Sequence, residues 1–205
     1  MRKILTTALF VSLLFLANLG VSHAQGQLLN ASPGVLPDSP FYLIERLKQK
    51  IVLTLTFDQK AKAEKLFNYA EERLAEAEAM LTKQNPKLAE ETLGRYVSFL
   101  LRGQDALQKA EAAGARVAAL KELQTEASIR QQVVLQNIFE RIPEEGKAGV
   151  LKAMDASRTV FLLASQTLPE VKSEVIIQNS ERRLPGFENF LPQNFLADLL
   201  KLVGR

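Results

Sequence analysis

The chain has 205 residues, with 26 Lys and Arg against 23 Asp and Glu, no Cys, no Trp and a single His. That histidine is His23, so the rest of the chain lacks the usual general base and the two best transition-metal ligands. This composition excludes thiol chemistry, most hydrolase triads, and zinc or haem ligation. The near-balanced charge, without a basic block, argues against a nucleic-acid partner.

The first 24 residues have the pattern of a secretory signal peptide. Arg2 and Lys3 precede the apolar run Ile4–Leu19, and Ser22 and Ala24 place small residues at the −3 and −1 positions of a cleavage site. Cleavage would remove 24 of the 205 residues, leaving 181, and two cations, which takes the net charge from +3 to +1. We therefore expect a secreted, periplasmic or cell-surface protein. The alternative is an uncleaved N-terminal anchor, because the apolar run is only slightly shorter than a membrane span.

Residues 25–35 indicate a short flexible leader, and residues 36–205 indicate one helical domain. The first helix is predicted to begin with Ser39 as N-cap and Pro40 at the first helical position. Its apolar side chains recur at helical spacing and form a stripe that needs a cover: Leu43, Ile44, Leu47, Ile51 and Leu55. Residues 51–57 could also form a strand, but the continuing helical period favours a helix.

Two long helices follow and are predicted to pair as an antiparallel hairpin. Asp58 caps the first, which runs to about Lys83, and Asn85 and Pro86 begin the second, which runs to about Ala113. Each helix carries columns of large and small residues at seven-residue spacing, the pattern of helices that meet closely. In the first these are Phe67, Leu74 and Leu81 beside Ala63, Ala70 and Ala77; in the second, Leu93, Leu100 and Leu107 beside Ala89, Tyr96, Gly103 and Ala110.

The remaining chain is also predicted to be helical. Gly114 breaks the chain, and helices are expected over 116–142, 147–168 and from 170 to about 179, with a last helix opened by Pro192. The third long helix is expected to turn a seam inward that includes Leu123. Gln124 and Gln131 fall at or near that seam, where they would hydrogen-bond within the bundle or lie at its margin; a ligand role is the alternative. The fold class is therefore all-α, a bundle of long antiparallel helices with shorter C-terminal helices.

The sequence resembles a known family over residues 36–113. The motifs are the opening Pro37–Tyr42, a basic helix with Arg46–Lys50, the turn Thr56–Asp58, and then Lys62–Glu64 and Glu72–Glu78. It is similar in these to a bacterial extracytoplasmic domain of unknown function. The resemblance implies an exported or membrane-tethered helical domain and supplies no catalytic residue. Residues 114–205 form a helical extension outside it.

The C-terminal segment is the candidate partner-binding site, because its apolar side chains are too many to be left in water. They are Phe187, Phe190, Phe195, Leu196, Leu199, Leu200 and Val203. The segment either docks on a partner or folds back to complete the core of the bundle. Membrane contact has less support than a protein groove, since Asp198 and Lys201 cancel. Phe41 and Tyr42 could be aromatic anchors too, but a hydrophobic staple is favoured.

No catalytic, cofactor-binding or metal-binding residue is predicted, and no cofactor. The leading hypothesis is an exported, non-enzymatic scaffold or protein-interaction module of the cell envelope, with another envelope protein as partner and a homo-oligomer as a further alternative. The second hypothesis is a periplasmic or cell-surface sensor or chaperone-like stress protein that binds apolar segments. The third is a carboxylate-dependent enzyme, which predicts a deep acidic pocket and a carboxylate with a raised pKa.

Overall fold

A computed structural model describes residues 28–166, 168, 170–183 and 185–202. The predicted signal peptide and Val203 lie outside these residues. The described chain is all-α, as the sequence predicted, and has no strand. Its elements are helices α1 (Tyr42–Leu55), α2 (Gln59–Thr82), α3 (Pro86–Ala112), α4 (Ala118–Arg141), α5 (Glu144–Ser165), α6 (Glu170–Arg183), a 3-10 turn (Phe187–Phe190) and α7 (Gln193–Leu202).

The hairpin of α2 and α3 forms the centre of the fold. Its caps are those expected from the sequence: Asp58 accepts from the Ala61 amide and Asn85 from the Leu88 amide. The alanine and leucine columns of both helices are buried where the helices meet, with only Leu81 half-buried. The two helices approach so closely that a β-carbon added at Gly103 would lie 2.7 Å from the Phe67 ring.

A second pair, α4 and α5, packs against the hairpin and completes a four-helix bundle, with α4 beside α2 and α5 beside α3. Helix α5 begins at Glu144, three residues before the predicted start. Glu144 and Glu145 occupy its first turn, where the helix dipole favours negative charge. The expectation that Leu123 points inward is wrong, because its side chain is 62 % exposed.

The C-terminal elements α6, the 3-10 turn and α7 fold back onto the outer faces of α4 and α5. Together they bury a second apolar cluster, separate from the main core: Ile129, Val133, Phe161, Ile176, Phe187, Leu191, Phe195 and Leu199. At the N-terminal end of the described chain, Leu29 is buried in the main core and the Asn30 amide donates to Glu71. Residues 29 and 30 of the predicted leader thus contact the bundle through an apolar side chain and a backbone donor.

Helix α1 lies outside the bundle and contacts α2 along a narrow strip. It begins at Tyr42, two residues after the predicted start. Phe41 occupies the N-cap position without a side-chain cap, while Ser39 accepts from the Phe41 amide in the preceding turn. Residues 51–55 are helical, which confirms the preference for a helix over a strand.

Candidate functional site

Three of the six described residues of the predicted C-terminal site are buried inside the molecule. Phe187, Phe195 and Leu199 are buried in the second cluster, and the Phe195 ring packs on Phe161 with 4.6 Å between ring centroids. Asp198 on α7 pairs with Arg158 on α5. This is the folded-back arrangement that the sequence left open.

Within the same segment, Leu196 and Leu200 are half-buried, and Phe190 is 48 % exposed. Val203 lies outside the described residues. Binding of a partner to this segment stays a prediction, and Phe190 offers it the most accessible ring among the described aromatic residues there.

Sequence reasoning missed the most exposed apolar surface of the described chain, on α1. The stripe that was expected to be covered faces solvent instead, and its five side chains are between 49 and 70 % exposed. We call these residues the α1 apolar face: Leu43, Ile44, Leu47, Ile51 and Leu55. Phe41 and Phe57, which flank the helix, are exposed as well. Because the face is contiguous rather than scattered, it is the kind of surface that marks an interaction site.

Helix α1 turns its opposite face to the bundle, and that face is largely polar. Its buried residues are Tyr42, Gln49 and Leu53. Gln49 Nε2 donates to Glu72 Oε2 on α2 over 3.1 Å. Phe41 and Tyr42 therefore lie on different sides of the chain: the tyrosine is buried against the bundle and the phenylalanine is exposed to solvent.

Tyr42 is the centre of a buried hydrogen-bond network that joins three helices. Its hydroxyl accepts from Arg73 Nη1 on α2 and from Arg95 Nη1 on α3, each over 2.8 Å, and donates to Glu76 Oε2 over 3.4 Å. The two guanidinium carbons lie 5.4 and 5.3 Å from the centre of the tyrosine ring, within cation–π range. This network holds α1 in the orientation that exposes the apolar face.

The carboxylate of Glu76 is fully buried beside these cations. Burial raises its pKa to about 7, although the charge of Arg73 and the Tyr42 hydrogen bond act in the opposite direction. Burial likewise raises the pKa of Glu72 on the same helix.

A groove of about 770 Å³ lies between α1 and the hairpin. Its lining is basic and apolar, and none of the described residues that line it is acidic. The cations are Arg46, Lys50, Lys62, Arg73, Arg95 and Arg102, and the apolar side chains are Leu43, Leu47, Leu53 and Phe99. One of these cations, Arg95, lies 3.9 Å from Glu91 on the same helix. The groove thus offers cations beside an apolar wall.

Gln124 and Gln131 of α4 hydrogen-bond within the bundle, as the sequence predicted. Gln131 accepts from the Tyr96 hydroxyl over 3.0 Å, and Gln124 donates to Ser128 over 3.5 Å. Arg130 lies 3.7 Å from Glu71 on α2. A smaller cavity of about 340 Å³ lies beside this layer, between α2 and α4.

The described residues contain no group of three or more His, Asp or Glu side chains that could hold a metal ion. None of the described helices is both long and apolar enough to cross a membrane.

A protein-family model described as a domain of unknown function, DUF5667, matches residues 34–145. The match covers more than half of the 205-residue chain. The chain belongs to the DUF5667 family. The DUF5667 domain contains α1 to α4 and the first residues of α5, so it includes both the α1 apolar face and the basic groove. It begins two residues before the range 36–113 that carries the resemblance, and it extends beyond that range through α4 into the start of α5. No curated protein and no solved structure matches the chain.

Proposed function

We propose that this DUF5667 protein is a non-enzymatic helical interaction module of the cell envelope, which binds its partner through the α1 apolar face. The exposure of that face carries the proposal. Burying a fully exposed large apolar side chain contributes about 1.5–3 kcal/mol. The five side chains of this face are 49–70 % exposed, so covering them would recover roughly half of that for each and is favourable.

The way in which α1 is held supports the same function. Tyr42, Arg73 and Arg95 make geometrically specific hydrogen bonds that orient the helix, whereas apolar packing alone would have turned its stripe inward. A buried polar network that keeps an apolar face outward is useful to a binding module and costly without such a role.

An envelope location is supported by the signal-peptide pattern of residues 1–24. The enzyme hypothesis predicted an acidic pocket together with a carboxylate of raised pKa. Glu76 has the raised pKa, but the larger groove beside it is lined by cations. This arrangement favours binding of an anion over carboxylate catalysis.

Site-specific photocrosslinking in the native cell envelope tests the proposal. A photoreactive amino acid at Leu47 or Ile51 is expected to give a discrete adduct, whereas the same amino acid at Leu151, an exposed leucine of α5, is expected to give none. Absence of any adduct, to protein or to lipid, at both α1 positions would contradict the proposal. A broad smear of many proteins from α1 would instead support the chaperone-like alternative, in which unrelated apolar segments bind.

A further inference from the structure

We infer that the occupant of the α1 apolar face is an anionic phospholipid surface, on which α1 lies as an interfacial helix. The inference rests on the proposed function and names its partner. Four features support it: the direction of the apolar face, the cations at its borders, the adjacent basic groove, and the repulsion between border cations if a second copy of the chain packed on the same face.

The apolar face points directly away from the bundle. At about 100° per residue, its five side chains fall within a sector of about 120° on the helix. The centre of this sector lies about 160° from the centre of the buried strip formed by Tyr42, Gln49 and Leu53. The apolar face is therefore open to solvent on the side of α1 that is turned away from the bundle.

Exposed cations border this face on both sides. The same helical spacing places Arg46 and Lys50 at one border and Lys48 at the other, and all three are exposed. Glu45 is the one acidic residue of α1. Apolar side chains flanked by Lys and Arg are typical of helices that lie in the membrane interface, where the long cationic side chains reach the headgroups.

The basic groove adjoins the border of the apolar face that Arg46 and Lys50 form. Arg46 and Lys50 belong to both, and Lys62, Arg95 and Arg102 face them from the hairpin. A headgroup phosphate could be bound by these cations while Leu47 and its neighbours on the apolar wall contact the adjoining glycerol and acyl carbons. The side chain of Arg73 also lines this groove. Its buried Nε atom has no hydrogen-bond partner among the described residues.

The charge pattern distinguishes this occupant from a second copy of the chain. Two α1 helices packed face to face would bring border cations against border cations, which is unfavourable. The chain without residues 1–24 has a net charge of only +1, from 24 basic and 23 acidic residues, so attraction to an anionic surface would be local to this border and groove.

The experiment is flotation of residues 25–205, which contain every described residue and omit the apolar run of the predicted signal peptide. The chain is mixed with neutral phosphatidylcholine vesicles or with vesicles that also contain phosphatidylglycerol. We expect binding to the anionic vesicles, at least about tenfold weaker binding to neutral ones, and loss of binding at high salt. Lys48→Gln and Lys50→Gln are each expected to weaken binding about fivefold.

Matched variants locate the contact. Leu47→Asp with Ile51→Asp is expected to weaken vesicle binding at least about a hundredfold. Leu123→Asp with Leu151→Asp, a pair of exposed leucines elsewhere, should change it by less than about twofold. Circular dichroism should show both double variants folded, because all four side chains are exposed.

Vesicle binding and crosslinking together distinguish a wrong lipid assignment from a wrong proposed function. No binding to anionic vesicles, equal binding to neutral ones, or undiminished binding of the Leu47/Ile51 variant would overturn the lipid assignment. If the crosslinker at Leu47 then captures one protein, the interaction module stands and its partner is that protein rather than a lipid surface. If neither vesicles nor crosslinks are seen, both proposals are wrong.

Discussion

Arg73 Nη2 lies 2.7 Å from Glu76 Oε1, one helical turn along α2, and both side chains are completely buried. Hydrogen bonds to the other polar atoms of a buried ion pair help to offset the cost of its desolvation. The Tyr42 hydroxyl supplies one to each member of the pair. The orientation of α1 is thus linked to the ionisation of a carboxylate inside the hairpin.

We expect the free energy of unfolding to fall as the pH rises from about 4.5 through about 7. The folded state raises the pKa of Glu76 to about 7 from an ordinary value of 4.5, so it binds this proton more tightly than the unfolded chain does. The stabilisation is fully present below pH 4.5 and is lost as the pH rises through 7. Burial also raises the pKa of Glu71, Glu72 and Glu78, so these carboxylates contribute to the same fall in stability. Urea unfolding at a series of pH values measures the effect.

The control for this prediction separates Glu76 from the other carboxylates. Glu76→Gln should remove a slope of up to about 1.4 kcal/mol per pH unit, whereas Glu174→Gln, at an exposed position on α6, should leave the slope unchanged. Both variants keep the groups that surround position 76 and influence the pKa of Glu76. These are Tyr42 and Glu45 on α1, and Glu72 and Arg73 on α2. An unchanged slope in Glu76→Gln would show that this carboxylate is ionised throughout.

Tyr42→Phe should loosen α1 without unfolding the bundle. The substitution removes the oxygen that accepts from Arg73 and Arg95, and leaving buried donors without a partner costs about 1–3 kcal/mol. Because α1 buries little else, we expect faster amide hydrogen exchange in Tyr42–Leu55 and little change in α3.

Phe41→Leu is the matched control for Tyr42→Phe, since the neighbouring ring is 65 % exposed. Its exchange pattern should equal that of the unsubstituted protein. Equal protection of α1 in all three proteins would mean that the network does not hold the helix.

Two glycines of α3 are expected to respond to alanine in opposite directions. At Gly94 an added β-carbon meets nothing within 4 Å, so Gly94→Ala should stabilise the protein by about 0.5–1 kcal/mol through helix propensity. At Gly103 it would meet the Phe67 ring at 2.7 Å, and Gly103→Ala should destabilise by about 1–3 kcal/mol. Chemical denaturation of both variants checks this, and a stabilising Gly103→Ala would contradict the close helix approach.

The two phenylalanines of the C-terminal segment should also differ. Phe195→Ala is expected to cost about 3–5 kcal/mol, because the ring is fully buried against Phe161. Phe190→Ala should cost less than about 1 kcal/mol, because that ring is half exposed. Equal and small losses in thermal unfolding would show that this segment is not part of the folded core.

The hairpin could be predicted from the sequence because its information is local. Alanine and leucine at seven-residue spacing require a close neighbour, and Asp58 and Asn85 cap the two helices through the amides three residues on. The fold class and most helix bounds follow from such signals.

The orientation of α1 could not be predicted in this way. Its leucines and isoleucines have the spacing of a core stripe, which periodicity alone assigns to the interior. The buried face is instead selected by partners far along the chain, Arg73 and Arg95, which Tyr42 satisfies. For the C-terminal segment both alternatives were open, because an apolar helix face looks the same whether it packs on its own bundle or on another molecule.

The solvent accessibility of the two faces of α1 tests the orientation of this helix most directly. Because the chain contains no cysteine, Leu47→Cys and Leu53→Cys each introduce a single thiol that can be labelled with a maleimide. We expect rapid labelling at position 47 and slow labelling at position 53, since Leu47 is 59 % exposed and Leu53 is 6 % exposed. Rapid labelling at 53 with protection at 47 would mean that α1 packs by its apolar face, and it would contradict both the fold described for α1 and the function proposed for it.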